Sequence, residues 1–425
     1  MGVVAVLGIG MQGKAALFDI SRSVGVAEVV AADLDLAGLE EYVAKMDGGV
    51  GIECVRLDAS DEKAVAKILE QADVAIDLLP GLFSLRVAEL AVRTGTHLVG
   101  SMYLADPAAL SRDDLAKHIG RIEELRTESE RAGVSILPEL GLDPGIDLVM
   151  CGHAVAALDR VDELYSYGAG FPEEAASHNP IRYKTTWTLD GVLKSYRRPA
   201  RIRRDGVDVS IPGGRIFDPE FTHALAIEPF GLLEAFANGD AVTYGERLGV
   251  SETAVNQGRF ALRWPGHCEF WGKLSALGFL SDELRPIHGV DVTPRRFVHA
   301  LLDPQLQYGD DESDVALVLV DARGSLNGSP ARELWKMVDM RDHATGLTAM
   351  SRTVGFSTSI GAQMLLEGSI KKRGILSPTC DVPFDAFISK LGERGIAVTH
   401  SSLPWDGRAR WSPALELRQG SPVDD

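Results

Sequence analysis

Through the first third of the chain, short continuous apolar runs alternate with longer stretches whose apolar residues recur at helical spacing. Val3 to Leu7 is apolar throughout, the pattern of a parallel strand buried on both faces, and it leads straight into Gly8-Ile9-Gly10-Met11-Gln12-Gly13. Lys14 to Ile20 carries Ala15, Leu17, Phe18 and Ile20 at helix-compatible spacing. Glu28 to Ala32 then reads as a second strand ending on Asp33. The alternation continues with strands at Glu53 to Leu57, Val74 to Leu79, His97 to Val99 and Val134 to Pro138. Helices fall at Glu62 to Glu70, Phe83 to Arg93 and Leu115 to Ala132. Six strands joined by helical crossovers predict a doubly wound parallel sheet over residues 1–140, with its ligand crevice at the carboxyl ends of the strands.

A glycine-rich turn between a strand and a helix, with an acid 20 residues past its last glycine, predicts a Rossmann site for a nicotinamide dinucleotide. Gly8 permits the tight turn, Gly10 lets backbone approach the pyrophosphate, and Gly13 brings helix and strand together, with Met11 and Gln12 opening the helix beside the anion. Asp33 is placed to take the ribose hydroxyls. Its carboxylate would repel a 2′-phosphate and Leu34 follows it rather than an arginine, so NAD is expected over NADP. Leu79 and Pro80 at a strand end are further cofactor candidates. Asp58 is either an adenine contact or the cap of the following helix.

After Glu139, the stretch Leu140 to Asp147 breaks the rhythm with one proline and two glycines, and the texture changes. Ala200 to Arg204 and Val207 to Ile211 flank Asp205-Gly206, a two-residue hairpin turn favouring type I′. Val315 to Val320 and Arg332 to Val338 pair in the same manner, Thr293-Pro294 starts a helix running to Leu302, and Gly309 to Asp314 is an acidic loop. Residues 141–345 are therefore expected to form an α+β, mostly antiparallel domain for substrate binding and homodimerisation. Residues 346–425 are expected to be a helical segment returning to the first domain. The overall class is α/β.

Composition narrows the partners. Apolar residues make up 45% and charged residues 24%, without an apolar run long enough for a membrane span, so a globular, cytoplasmic protein is expected. A formal charge of −18 disfavours nucleic acid and anionic lipid, which leaves a small molecule as the expected partner. The four cysteines are scattered, and no Cys/His/carboxylate spacing suggests a metal.

Gly141-Leu142-Asp143-Pro144-Gly145-Ile146-Asp147 resembles a signature of the saccharopine dehydrogenase family. So do Tyr167 to Pro172, Asn179-Pro180-Ile181-Arg182-Tyr183-Lys184, Trp187, Gly191-Val192-Leu193, Arg263 to His267, Thr348 to Thr353 and Gly374-Ile375-Leu376, in family order along the whole chain. The Asn-Pro-x-x-Tyr-Lys block is similar to the glutamate-forming reductases, whereas Gly191 to Gly206 and Pro265-Gly266-His267 are similar to lysine 6-dehydrogenase. Gly168 stands where the reductases usually have a cysteine. The resemblance implies oxidation of an amino-acid C–N bond, the amine carbon becoming an imine that water hydrolyses.

Such a substrate brings carboxylates and ammonium groups, so a charged pocket is expected. Tyr103 and Asp143 match positions the family places near the reacting centre, as proton-handling or orienting groups. Lys184 and Arg263 are the expected carboxylate anchors, with Glu139, Asn179 and Tyr183 as polar substrate walls. Trp187 and His267 are expected in the core, and Arg352 as the anchor of the C-terminal helix. An opine- or polyamine-type synthase and a non-catalytic NAD(P) sensor are the other readings. A sensor has no use for a charged set of this kind.

Overall fold

A computed structural model describes residues 1–106 and 112–411. They form two compact units: Met1–His153 with Met337–Val398, and Ala154–Lys336 with the chain beyond Val398.

The first unit opens with β1 (Gly2–Leu7), α1 (Met11–Ile20), β2 (Val26–Asp33), α2 (Leu36–Ala44), β3 (Ile52–Arg56) and α3 (Glu62–Leu69). It continues with β4 (Val74–Asp77), α4 (Ser84–Thr94), β5 (His97–Gly100), α5 (Arg112–Ala132), β6 (Ser135–Leu137) and α6 (Ile146–Ala156). The six expected strands form one parallel sheet, and Val4 to Leu7 in its middle are fully buried. Asp61 caps α3 through the amides of Lys63 (3.0 Å) and Ala64 (3.2 Å). Asp58 is therefore not the cap; its carboxylate turns back on the Ser60 amide (2.9 Å) and hydroxyl (2.6 Å).

The second unit contains β7 (Arg160–Pro172), α7 (Leu189–Ser195), β8 (Ala200–Arg204), β9 (Val207–Ile211), β10 (Thr222–Ile227), β11 (Gly231–Ala237), α8 (Ala241–Arg247) and β12 (Asn256–Arg263). There follow α9 (His267–Ala276), the small hairpin β13 (Arg285–Ile287) and β14 (Val290–Val292), α10 (Pro294–Leu302), β15 (Asp314–Leu326) and β16 (Ser329–Met340). Beyond them lie α11 (Ala349–Leu366), β17 (Gly374–Ile375), α12 (Pro378–Asp381), α13 (Phe384–Glu393) and β18 (Ala397–Leu403). The large sheet runs β10-β11-β12-β7-β15-β16-β18, with β8 and β9 branching from β12. It is antiparallel at β10–β11, β11–β12 and β7–β15, and parallel only at β12–β7 among its paired registers. Asp205 (φ 49°) and Gly206 (φ 79°) both take positive φ, as a type I′ turn requires. Pro294 starts α10, but the Thr293 hydroxyl makes no capping hydrogen bond.

Two features of the first unit escape the pattern of apolar runs. β17 adds a seventh, edge strand beside β6; with two residues it is too short to leave a period. α11 packs on α1, and Gly355 is what lets it: a Cβ there would lie 2.5 Å from the Gln12 carbonyl. Arg352 pairs with Asp339 (2.8 Å) and the Arg394 carbonyl (3.0 Å). The tie from this region to α1 is made by Asp19, which accepts from Arg394 (2.6 Å) and Ser359 (2.6 Å).

Candidate functional site

The turn after β1 is built from backbone. Gly8 has φ 86°, and a Cβ on it would sit 2.8 Å from the Leu78 carbonyl. A Cβ on Gly13 would sit 1.9 Å from the Gly8 carbonyl, so only glycine lets α1 start this close to the strand end. Gly10 faces open space within 4 Å, and as N-cap of α1 it brings no side-chain cap; the first turn holds no acid. Amides at the start of α1, including those of Met11 and Gln12, are thus left for an anion, which fits a pyrophosphate. Asp33 braces this turn: its carboxylate accepts from the Ile9 amide (2.6 Å) and the Asp35 amide (2.9 Å).

Leu79 and Pro80 follow β4, and Leu79 donates its amide to Asp77 (3.1 Å). Asp77 was not singled out by the sequence. It is 4% exposed, at the end of β4, and burial pushes its carboxyl up to about 7. Beside it is a small cavity lined by Ser84, Gly100, Met102 and Pro138 among others, and the Ser84 hydroxyl has no hydrogen-bond partner. Tyr103 is half-buried after β5, and Glu139 is buried after β6 with φ 63°. Asp143 is half-buried in a loop folded on itself. Gly141 donates to the Pro144 carbonyl (2.9 Å), and the buried Asp147 accepts from the Gly145 amide (2.8 Å).

In the second unit, Asn179 spends its side chain on its own loop, donating to the Tyr183 carbonyl (2.6 Å) and accepting from the Ile181 and Tyr183 amides (3.2 Å each). These bonds position Tyr183. Lys184 is ion-paired with Glu312, from the acidic loop, so its charge is already answered within the unit. Trp187 packs on the core cluster with Leu189 and Val192, as expected.

Tyr183 and Arg263 do come together, with partners the sequence did not announce. Arg263 ends β12 at 8% exposure, its guanidinium 5.3 Å from the Tyr183 ring centre and 5.9 Å from that of Phe236. The hydroxyls of Tyr183 and Tyr196 lie beside it. His267, 2% exposed, shares a 2.8 Å hydrogen bond with the Tyr196 hydroxyl, and burial together with the Arg263 charge holds it well below its ordinary pKa. It stays neutral and structural.

The described residues hold no group of three or more His, Cys, Asp or Glu suited to a metal, and no helix among them is long and apolar enough to cross a membrane.

Comparison with known proteins adds a lineage. Residues 4–137 match the model of the saccharopine dehydrogenase NADP binding domain, and residues 141–396 that of the saccharopine dehydrogenase C-terminal domain. Alpha-aminoadipic semialdehyde synthase of Arabidopsis thaliana is 27% identical over 82% of this chain, which spans 38% of that protein. The chain thus covers less than half the length of the first such relatives it matches. Saccharopine dehydrogenase [NADP(+), L-glutamate-forming] of Pyricularia oryzae is 25% identical over 83% of this chain and 90% of its own. The apo structure of the L-Glu forming saccharopine dehydrogenase from Saccharomyces cerevisiae superposes with a TM-score of 0.79 at 23% identity, covering 95% of this chain and 100% of that one. That likeness bears on the fold.

Proposed function

The chain belongs to the saccharopine dehydrogenase family, and from that premise we propose that it is a nicotinamide-dependent oxidoreductase acting on a C–N bond of an amino acid. The observation that carries this is the bare backbone cradle at Gly8, Gly10 and Gly13, with an uncapped α1 behind it, in a parallel sheet where Tyr103 follows the end of β5 and Glu139 the end of β6. A nicotinamide bound there supplies the hydride acceptor. The chain's own groups have the remaining work: Tyr103 and Asp143 to hold and move the amine proton, and Glu139 to meet an ammonium.

The choice of cofactor rests on Asp33. The family model and the fungal relatives are named for NADP, and Arg56 lies opposite Asp33 in register, which leans toward NADP. Against this, a carboxylate braced at the end of β2 stands where a 2′-phosphate would have to lie, and the exposed Leu34 offers it no charge. The relatives weigh toward NADP over the NAD expected from the sequence, and Asp33 is the residue that decides between them. A homodimer belongs to the same reading, because Leu284, Ile287, Val290, Phe297 and Leu301 expose apolar surface on the second unit.

The deciding experiment follows reduced nicotinamide with the purified chain, NAD or NADP, and saccharopine, lysine, ornithine and related secondary amines. Turnover of saccharopine supports the proposal. Turnover of lysine alone moves it to a primary amine, and silence across the panel with cofactor binding intact overturns it.

A further inference from the structure

The loop that carries Leu79 and Pro80 leaves the sheet at Asp77, the last residue of β4, and enters α4 at Ser84. Both ends of this loop are buried and polar. On Asp77, Oδ1 accepts from the Leu79 amide (3.1 Å), whereas Oδ2 lies on the side of Gly100, 4.0 Å from where a Cβ on that glycine would be. Ser84 opens the first turn of α4, where a serine ordinarily bonds nearby backbone, yet its hydroxyl has no partner among the described residues.

Asp77 and Ser84 line one cavity of about 10 Å³ and are its polar side chains; Leu98, Met102, Ile136 and the Gly100 backbone form much of the rest. That volume takes a single water and nothing larger. A buried water needs at least two polar partners, and the unmet hydroxyl on one wall and the second carboxyl oxygen on the other supply them. No charge competes for Asp77 from the elements packed on β4. β1 carries none, His97 of β5 stands at the far end of the register beside Val74, and Arg352 of α11 is tied to Asp339. On α4, Arg86 pairs with Glu62 and Glu89, and Arg93 is exposed in the last turn. Burial alone holds the Asp77 proton into the neutral range.

We propose that one water in this cavity bridges the Asp77 carboxyl to the Ser84 hydroxyl and closes the neck of the loop, which makes Asp77 a positioning residue for the dinucleotide, acting through the Leu79 amide. The proposal rests on the dinucleotide reading of the cradle at Gly8, Gly10 and Gly13. The loop lies against that cradle: the Leu78 amide donates to the Leu7 carbonyl (2.9 Å), and the Leu78 carbonyl is the atom a Cβ on Gly8 would meet at 2.8 Å. A protonated Asp77 donates into the water and keeps its other oxygen for the Leu79 amide. An ionised one sets a negative charge in a poorly screened interior beneath an anionic ligand. Affinity for the dinucleotide is therefore expected to fall as pH rises through the neutral range, because the ligand favours the protonated form.

The test uses the full chain. NADH and NADPH are titrated by nucleotide fluorescence between about pH 6 and pH 8, and urea unfolding is followed without nucleotide. In the wild type, Kd is expected to rise about 5-fold over that range, beyond any change the same nucleotide shows with Asp77→Asn. Asp77→Asn keeps an oxygen for the Leu79 amide and cannot ionise, so it should bind like the wild type at the acid end and stay flat. Asp77→Leu removes the acceptor and should bind about 5-fold more weakly even at the acid end, the worth of one hydrogen bond. Ser84→Ala should lower the urea midpoint, and that loss should vanish in the Asp77→Leu background because the two side chains share one water. Gly100→Ala offers a second route should Asp77→Leu not fold: its methyl enters the cavity with no neighbour nearer than 3.4 Å, and the Ser84→Ala loss should vanish there too. A pH profile shared by the wild type and Asp77→Asn overturns the positioning role. A Ser84→Ala midpoint that is unchanged or raised overturns the bridge, and so does a loss undiminished in both backgrounds. The two readings fail separately. No nucleotide binding at any pH, with Ser84 and Asp77 coupled in urea, removes the dinucleotide reading and leaves the bridge, whereas nucleotide binding indifferent to Asp77 removes the positioning role alone.

Discussion

Asp77 in the first unit and Arg263 in the second are buried ionisable side chains with no opposite charge beside them among the described residues, and they differ in how each can meet that cost. Asp77 can take up a proton: burial pushes its carboxyl up to about 7, so it carries a proton at mildly acid pH and shares it out near neutrality. Arg263 has no such exit, because a guanidinium keeps its proton, and it leans on the Leu262 carbonyl and the neighbouring tyrosine hydroxyls. Arg323 on β15, in the same sheet as Arg263, is the reference case, held between Glu163 (2.8 Å) and Asp321 (2.7 Å), with Arg332 sharing Asp321 (2.9 Å). Burial alone therefore does not mark a functional charge. Arg263 differs in that the acid opposite it in register, Glu234, is committed to the amides of Gly266 and Cys268.

The largest effect that sharpens this contrast is Arg323→Met. It leaves Glu163 and Asp321 buried with less compensation and should cost about 3–5 kcal/mol in urea unfolding. The same change at Arg263 is expected to stabilise, and equal losses at both sites would erase the distinction. An effect of comparable size, but spread over a pH range, is expected at Asp77. Its folded pKa of about 7 lies above the ordinary carboxyl value of 3.8, so over that window the folded chain keeps a proton the unfolded chain has released. The stability this group allows is present at acid pH and lost as pH rises toward 7. The full swing is on the order of 4 kcal/mol. Asp77→Asn should flatten that part of the pH–stability curve; an unchanged slope would show that Asp77 ionises freely. The smallest effect concerns Asp33, an acid that has settled its charge on two backbone amides. Asp33→Ala with Leu34→Arg should shift kcat/KM toward NADP by about 10-fold or more, and an unmoved preference would remove Asp33 from cofactor selection.

The two sites were not equally legible. A cradle made of backbone must be written in glycines at fixed spacing, so Gly8, Gly10, Gly13 and Asp33 could be read directly, along with the alternation that builds the parallel sheet. A site made of side chains has no such spacing. Tyr183, Tyr196 and Arg263 are gathered by the sheet and its flanking helices from distant segments, and the pairing of Lys184 with Glu312 spans 128 positions. The local role of Asn179 has a signal in the sequence, since Asn-Pro is a common turn pair. Asp61 rather than Asp58 caps α3 because it immediately precedes the helix, a distinction within the uncertainty of a boundary read from periodicity.

Gly355 against Gln12 also dictates an order of events during synthesis. The first unit opens with β1, yet the helix that seals α1 is translated only after residues Ala154–Lys336, the larger part of the second unit. On the ribosome, the N-terminal sheet therefore still waits for its last helix after most of the second unit has emerged. A nascent chain stalled before α11 would therefore display the outer face of α1, with the Asp19 carboxylate unanswered by Ser359 and Arg394, as a surface for chaperones to hold.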